Sequence, residues 1–326
     1  MRNSDVNLHP LPLEAVLARD ILTRSVGDRL PTVPDYQKML DIGSGTFQKA
    51  LRALKDAGAL TVRSHGHKGT FIQALHLHEL WAAAMLPPLH LLMPPVGSQE
   101  SRGLAGALAA VAREGAGATI TLGFRGGARS RLAQLKSGKA DLIVMSSGAL
   151  SAIIGPTEQG THHVDDKSEL VVLTLGPGSY YAPGSIVIVA RHEDRGRWHR
   201  IGVDPQSSDH QMLSAREFAD LSREQVDTEF PLIPRAVAEG AIDAGIWHRS
   251  STLIPLSKAG LHTLALSPGE PLTAFDQVSA ATIIARSNSP AGKILQMMNP
   301  LTLAEKVTSG VYDASFPDFL VEPSPR

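Results

Sequence analysis

The residues of this 326-residue chain that could do chemistry are hydroxyls and cations, not nucleophiles or metal ligands. Cysteine is absent, so disulfides, thiolate nucleophiles and thiolate metal sites are excluded. There is no Gly-x-x-x-x-Gly-Lys-Ser/Thr phosphate loop, no Gly-x-Ser-x-Gly elbow and no His-Glu-x-x-His pair. Gly123-Phe124-Arg125-Gly126-Gly127 lacks dinucleotide spacing and reads as a turn. His76 and His78 alternate on a short polar stretch. His162-His163-Val164-Asp165-Asp166 follows Gly155-Pro156 and reads as a polar surface loop. Neither is expected to hold a metal. No cofactor, metal or catalytic residue is expected, and the alternative kept open is an enzyme of unknown reaction in the larger part of the chain.

Two sets of polar residues remain. The first lies at predicted strand ends: Ser98, Ser101 and Arg102 after one strand, Arg125 after the next, then Ser146 and Ser147. Ser179 and Tyr180 lie near a hinge, and Asp204, Ser207 and Ser208 lie in the second half. Strand ends in open α/β sheets carry ligand sites, and helix N-termini there offer free N–H groups and a positive dipole end. Any one of these serines is expected mainly to cap its own helix. Together, with an arginine at 102 or 125, they form a candidate site for a small, anionic metabolite.

The second set is basic. The net charge is −1, but residues 1–75 hold ten Lys/Arg against seven Asp/Glu. Within 44–68 the cations Lys49, Arg52, Lys55, Arg63 and Lys68 face Asp56 alone. Such a local patch is what a phosphate backbone requires. The candidate DNA-contacting residues are Ser44, Gly45, Thr46, Gln48, Lys49 and Arg52 on a helix, and Arg63, His65, His67 and Lys68 on a hairpin tip.

The elements that must position these residues are readable. Leu13, Val16, Leu17 and Ile21 have helical spacing, with Gly27 beyond. Thr32 as N-cap with Asp35 predicts a second helix to about Leu40. Asp41–Thr46 is a glycine-rich turn, after which Phe47, Ala50, Leu51 and Leu54 mark the buried face of a third helix ending at Gly58. Two short helices around a glycine turn make a helix-turn-helix. Leu60–Val62, the tip Arg63–Gly69 and Thr70–Ile72 add a wing, completing a DNA-binding domain over residues 1–75.

Gly27 to Ile72 resembles the winged helix of GntR-type regulators in its Gly-Asp-Arg-Leu-Pro opening, its Ala50-Leu51 and Leu54 spacing and its Gly69-Thr70-Phe71 wing closure. Where that family carries Ser-Arg at the recognition helix, this chain has Gly43-Ser44. The Gly-Ser-Gly-Thr at 43–46 and Ser-x-Gly-His-x-Gly-Thr at 64–70 are instead similar to the YhfZ family of regulators. That resemblance implies an appended type II periplasmic-binding-protein-like domain.

A linker is expected at 76–88, then alternating strands and helices that indicate parallel sheet with helices on both faces. Strands are expected at Leu89–Met93, Thr119–Phe124, Ala140–Met145, Leu170–Leu175, Ser185–Arg191, Arg200–Asp204, Asp227–Ile233, Ala241–Trp247, His262–Leu266 and Ala280–Arg286. The step Lys136-Ser137-Gly138-Lys139-Ala140-Asp141-Leu142 is echoed by Glu239-Gly240-Ala241-Ile242-Asp243. This doubling suggests two lobes in the 89–326 ligand-binding-like domain: lobe one 89–190 with 270–326, lobe two 191–269. Neither a signal-peptide core nor a membrane-length apolar run is present, so a cytoplasmic protein is expected. The expectation is a DNA-binding transcriptional regulator, not an enzyme: a homodimer whose partners are double-stranded DNA and a small-molecule effector, with no membrane.

Overall fold

The computed structural model describes residues 11–95, 99–155, 162–165, 169–219, 223–249, 255–267 and 278–308. Its N-terminal unit comprises α1 (Leu13–Leu22), α2 (Val33–Leu40), α3 (Ser44–Asp56) and the hairpin β1 (Leu60–Ser64) and β2 (Thr70–Leu75). The expected capping box is present: the Thr32 hydroxyl accepts from Asp35 N–H, and the Asp35 carboxylate accepts from Thr32 N–H at 2.8 Å. The second helix stops at Asp41, which adopts left-handed backbone at φ 53°. Phe47, Ala50 and Leu54 of α3 point into the core, and Phe47 stacks on Tyr36 at 4.7 Å between ring centroids. The Tyr36 hydroxyl donates to Asp20 at 2.6 Å, fixing α1 against α2.

The wing is longer than expected. Arg63 pairs with Phe71 within the antiparallel ladder, so it belongs to the strand and not the tip. The tip is one 3₁₀ turn, Gly66–Lys68, closed by Gly69 at φ 100°. A Cβ at Gly69 would strike the Arg29 side chain, so only glycine fits.

The expected linker at 76–88 is instead mostly helix α4 (Leu77–Ala84). Leu77, Leu80, Trp81 and Ala84 have helical spacing, and the last three are buried. Helix α4 packs between α1 and α5 (Gln99–Ala116). Arg19 of α1 donates to the carbonyls of Ala84 and Met85, both at 2.8 Å, satisfying the end of α4. One hydrophobic core therefore runs unbroken from Leu17 through Leu80 to Leu108.

Beyond α4 stand two sheets. Among the described residues the first has order β4-β3-β5-β13-β7-β6, formed by β3 (Leu89–Met93), β4 (Ile120–Phe124), β5 (Leu142–Ser146), β6 (His162–Asp165), β7 (Leu170–Thr174) and β13 (Ala281–Arg286). The second has order β10-β9-β11-β8-β12, from β8 (Ile186–Ala190), β9 (Arg200–Val203), β10 (Glu224–Asp227), β11 (Ala244–His248) and β12 (His262–Ala265). Helices α6 (Ala128–Lys136), α7 (Ser147–Ile154), α8 (Ser208–Glu217), α9 (Ile233–Glu239), α10 (Pro290–Met297) and α11 (Pro300–Thr308) accompany the sheets.

Several expectations need correction. The sheets are mixed, because β13 runs antiparallel to β5 and β7, and β8 antiparallel to β11 and β12. Strand β8 pairs entirely within the second sheet, so the chain leaves lobe one between β7 and β8, before residue 186 and not at 190. The strand expected over Asp227–Ile233 ends at Asp227 and gives way to a 3₁₀ turn and α9, whose start Pro231 and Pro234 favour. His162–Asp165, expected in a loop, is an edge strand paired with β7.

The doubled step has a structural cause. Gly138 and Gly240 end helices with φ of 76° and 74°. The aspartate after each ties down the start of a neighbouring strand: Asp141 accepts from His90 N–H, and Asp243 from His199 and Arg200 N–H, all at 2.9 Å.

Leu80→Ala empties a fully buried position where head and lobe one meet. It should cost about 2–5 kcal/mol, lowering the unfolding midpoint, and limited proteolysis should then cut between head and lobe under conditions that leave the wild type intact.

Candidate ligand cleft and nucleic-acid face

Between the lobes lies a cleft of about 620 Å³. Its lobe-one wall is built by the carboxyl ends of β4 and β5 and the helices that follow. Arg131 is 3% exposed, its Nε donating to Val144 O at 2.8 Å and its Nη1 to Arg125 O at 2.6 Å. Arg125 in turn donates to the Ser130 hydroxyl at 2.5 Å. Helix α6 follows Gly127, φ 73°, with no side-chain cap and no acid in its first turn, and Gly127, Ala128 and Ser130 line the cleft. Its first N–H groups are thus offered toward the cleft.

The lobe-two wall is built by the ends of β9 and β11 and the start of α8. Ser207 caps α8, accepting from His210 N–H at 3.3 Å. Asp204 accepts from the N–H groups of Gln206 at 2.8 Å and Phe230 at 3.0 Å. His210 Nδ1 accepts from Asp204 N–H at 2.8 Å, which places the ring proton on Nε2, where it donates to Ile246 O at 2.8 Å. Burial holds this imidazole below its ordinary pKa and neutral. Tyr181 packs on Tyr180 at 4.6 Å and on His248 at 5.2 Å, and with Phe230 and Trp247 forms an aromatic side to the cleft. Burial raises both tyrosine pKa values, keeping these hydroxyls protonated as donors.

A hydrogen bond between described residues joins the walls directly. The Ser146 hydroxyl, which caps α7 by accepting from Ala149 N–H at 2.9 Å, donates to Asp209 Oδ2 at 2.5 Å. Asp209 is buried, and that burial pushes its carboxyl up to about 6, against the opposing effects of the Ser146 hydrogen bond and the Arg131 charge.

The structure brings Ser101, Arg125, Ser146, Tyr180, Asp204, Ser207 and Ser208 to this cleft. Ser147 and Ser179 are buried in the fold and do not line it. Ser179 bridges Gly176 O and Ala281 N–H at 2.6 and 2.8 Å, holding the hinge backbone. Arg102 is exposed on α5 away from the lining, and Ser98 lies outside the described residues. Sequence reasoning missed Arg131, Asp209 and Tyr181. Arg131 carried a signal, since it shares a helical face with Leu135, four residues on, in a step already singled out. Asp209 stood beside the chosen serines without a motif to distinguish it.

On the head, Ser44, Gly45, Thr46, Gln48, Lys49 and Arg52 are all exposed on α3, as are Arg63, His65, His67 and Lys68 on the wing. Helix α3 presents its N-terminal turn and the wing tip to solvent, while Phe47, Ala50 and Leu54 face inward. His65 is held edge-on against Phe71 at 5.4 Å.

Residues 77–310 match the YhfZ C-terminal domain model, and residues 25–72 match a helix-turn-helix domain. The chain belongs to the YhfZ C-terminal domain family. Its similarity to the protein YhfZ of Escherichia coli K12 is 23% identity over 305 residues, 92% of this chain and 95% of that relative. The crystal structure of YhfZ from Shigella flexneri superposes with a TM-score of 0.51 at 23% identity, over 72% of this chain and 96% of that one. A Corynebacterium glutamicum OxyR mutant, aligned over 93% of this chain and 94% of that one at 12% identity, has a TM-score of 0.43. The YhfZ-type chain described here thus joins a helix-turn-helix head to a two-lobed α/β domain. Among its described residues no helix is long and apolar enough to cross a membrane, and no group of three His, Asp or Glu side chains is placed to hold a metal.

Because the folded pKa of Asp209 is raised, the folded chain holds a proton between the ordinary carboxylate range and about 6 that the unfolded chain has lost. Stability from this group is therefore full at acid pH and declines as pH rises through 6. Asp209→Asn removes the decline. The variant should gain on the wild type by about 3 kcal/mol between pH 4 and pH 8, read as a widening difference in melting temperature. A difference that stays flat across that range would show the carboxyl ionised throughout.

Proposed function

We propose that the chain is a cytoplasmic, homodimeric transcriptional regulator that binds a two-fold symmetric DNA operator and responds to a small effector carrying an acid group. The observation that carries this reading is the joining of two sites by one rigid core. An exposed basic helix and wing stand on a head that shares its hydrophobic core with lobe one, and lobe one forms half of a cleft whose other half belongs to lobe two. An acid group has a ready seat at the uncapped start of α6 beside Arg125. An effector touching both walls binds the closed arrangement better than an open one, and only that difference can shift the population. Lobe motion then re-spaces the two heads of a dimer. Operator and effector affinities must change by the same factor in either direction.

The division that follows is a head over residues 11–75, a helical junction at 76–88, and two lobes exchanging chain at 175–185 and 266–280. On the head, Thr46 and Gln48 are placed to read base edges, and Arg52 and Lys68 to hold phosphates. A single head buries too little surface for tight specific binding, so paired heads on half-sites about 10 bp apart, or a multiple of that, are expected.

Selection from a random duplex library should return two related half-sites. At that sequence Gln48→Ala should cost about 1–3 kcal/mol and relax the preference at one position. Arg52→Ala should weaken all sequences alike and reduce the salt slope by about one. Anisotropy titrations at several salt concentrations measure both. An unchanged preference in Gln48→Ala would remove that residue from base reading, and failure to enrich any sequence would remove the regulator assignment.

A further inference from the structure

The cleft is electrically polarised. Among the described residues every arginine lining it, Arg125 and Arg131, comes from lobe one, and every carboxylate lining it, Asp204, Asp209 and Glu229, comes from lobe two. A simple anion would gain from one wall and be repelled by the other. Of the two buried acids, Asp209 has the fewer partners. Asp209 is buried, its Oδ2 accepts from Ser146, and Oδ1 accepts from no described residue. No described Lys, Arg or His forms an ion pair with it. Arg131 is the nearby cation, and its Nε and Nη1 are taken by the carbonyls of Val144 and Arg125. A buried carboxylate open on one side toward a cleft calls for a cationic donor. Across the cleft the reverse holds: the first turn of α6 has free N–H groups, no acid and Arg125 alongside.

We propose that the effector is a zwitterion of the amino-acid class, its ammonium on Asp209 of lobe two and its acid group on the α6 N-terminus and Arg125 of lobe one. The assignment rests on the effector reading above and narrows it. Each charge of the ligand finds its partner on a different lobe, so a molecule lacking either one engages a single wall. Burial on the aromatic side by Tyr181, Phe230 and Trp247 leaves room for an apolar side chain.

The test uses the full-length protein and a matched panel: the common L-amino acids, the 2-hydroxy acids that replace each amine by hydroxyl, and the corresponding des-amino acids, measured by thermal shift and then by calorimetry. At least one amino acid should bind, at least about tenfold tighter than both of its analogues. In Asp209→Asn that preference should vanish. The des-amino acid should bind Asp209→Asn as tightly as it binds the wild type, which guards against a fold defect in that variant. Analogues that bind as tightly as their amino acids, or that bind when no amino acid does, overturn the zwitterion assignment and leave the acid-effector reading standing. Absence of binding in every arm overturns both.

Discussion

The packing of α4 between α1 and α5 is the constraint on which the rest depends. Without it the chain would be a DNA-binding head on a tether, and nothing that happened between the lobes would reach the head. With Leu80, Trp81 and Ala84 buried and Arg19 holding the carbonyls at the helix end, the head and lobe one share a single interior. A second tie comes from far along the chain, where Lys293 of α10 donates to the Ser25 hydroxyl at 2.8 Å. Close-packed interiors move as units, so the freedom left to the molecule lies at the two strands of chain that pass between lobes.

That freedom is spanned by the Ser146 to Asp209 hydrogen bond, which has an energetic tension in it. The bond satisfies one carboxylate oxygen and places the helix cap of α7 against the start of α8, yet it holds an acid in surroundings that disfavour its charge. A buried charge with an incomplete set of partners is stabilised by whatever completes the set. The arginines opposite are differently situated, because Arg131 is pinned by main-chain carbonyls and Arg125 by a serine. One wall is held by main-chain carbonyls and a serine, and the other carries a buried carboxylate with a single described hydrogen bond.

Much of this was legible in the residues. Local chemistry read well: the Thr32 and Asp35 capping box, the buried face of α3 and the two Gly-to-Asp steps depend on neighbours a few residues apart. What misled was anything settled by distant partners. Leu77, Leu80, Trp81 and Ala84 have helical spacing, but two histidines and Pro87-Pro88 gave the stretch the look of a polar connection, and only α1 and α5 make it a buried helix. Strand β8 carries no mark of the sheet it joins, since a run such as Ile-Val-Ile-Val-Ala suits the middle of either one. The serines illustrate the same limit within the site. Ser146 and Ser207 do cap their helices as the commoner role would have it, and they also line the cleft, whereas Ser179 was spent on backbone. Arg131 shares a helical face with Leu135, but the carbonyls of Arg125 and Val144 that hold it inward come from strand ends that its own helix does not reveal.

Strand β13 lies in the middle of the lobe-one sheet, bonded to β5 on one side and β7 on the other, though it is made some hundred residues later. During synthesis the ribosome must therefore deliver all of lobe two while the first sheet stands open, with the facing edges of β5 and β7 unpaired and their Ile, Val and Leu side chains uncovered. Such edges invite pairing with a neighbouring chain. The last described stretch of the polypeptide is what closes that gap and, through Lys293, also secures the head. A truncated or stalled product would lack more than its closing strand and helices: it would be a nascent chain with an adhesive seam, exposed to chaperones and proteases.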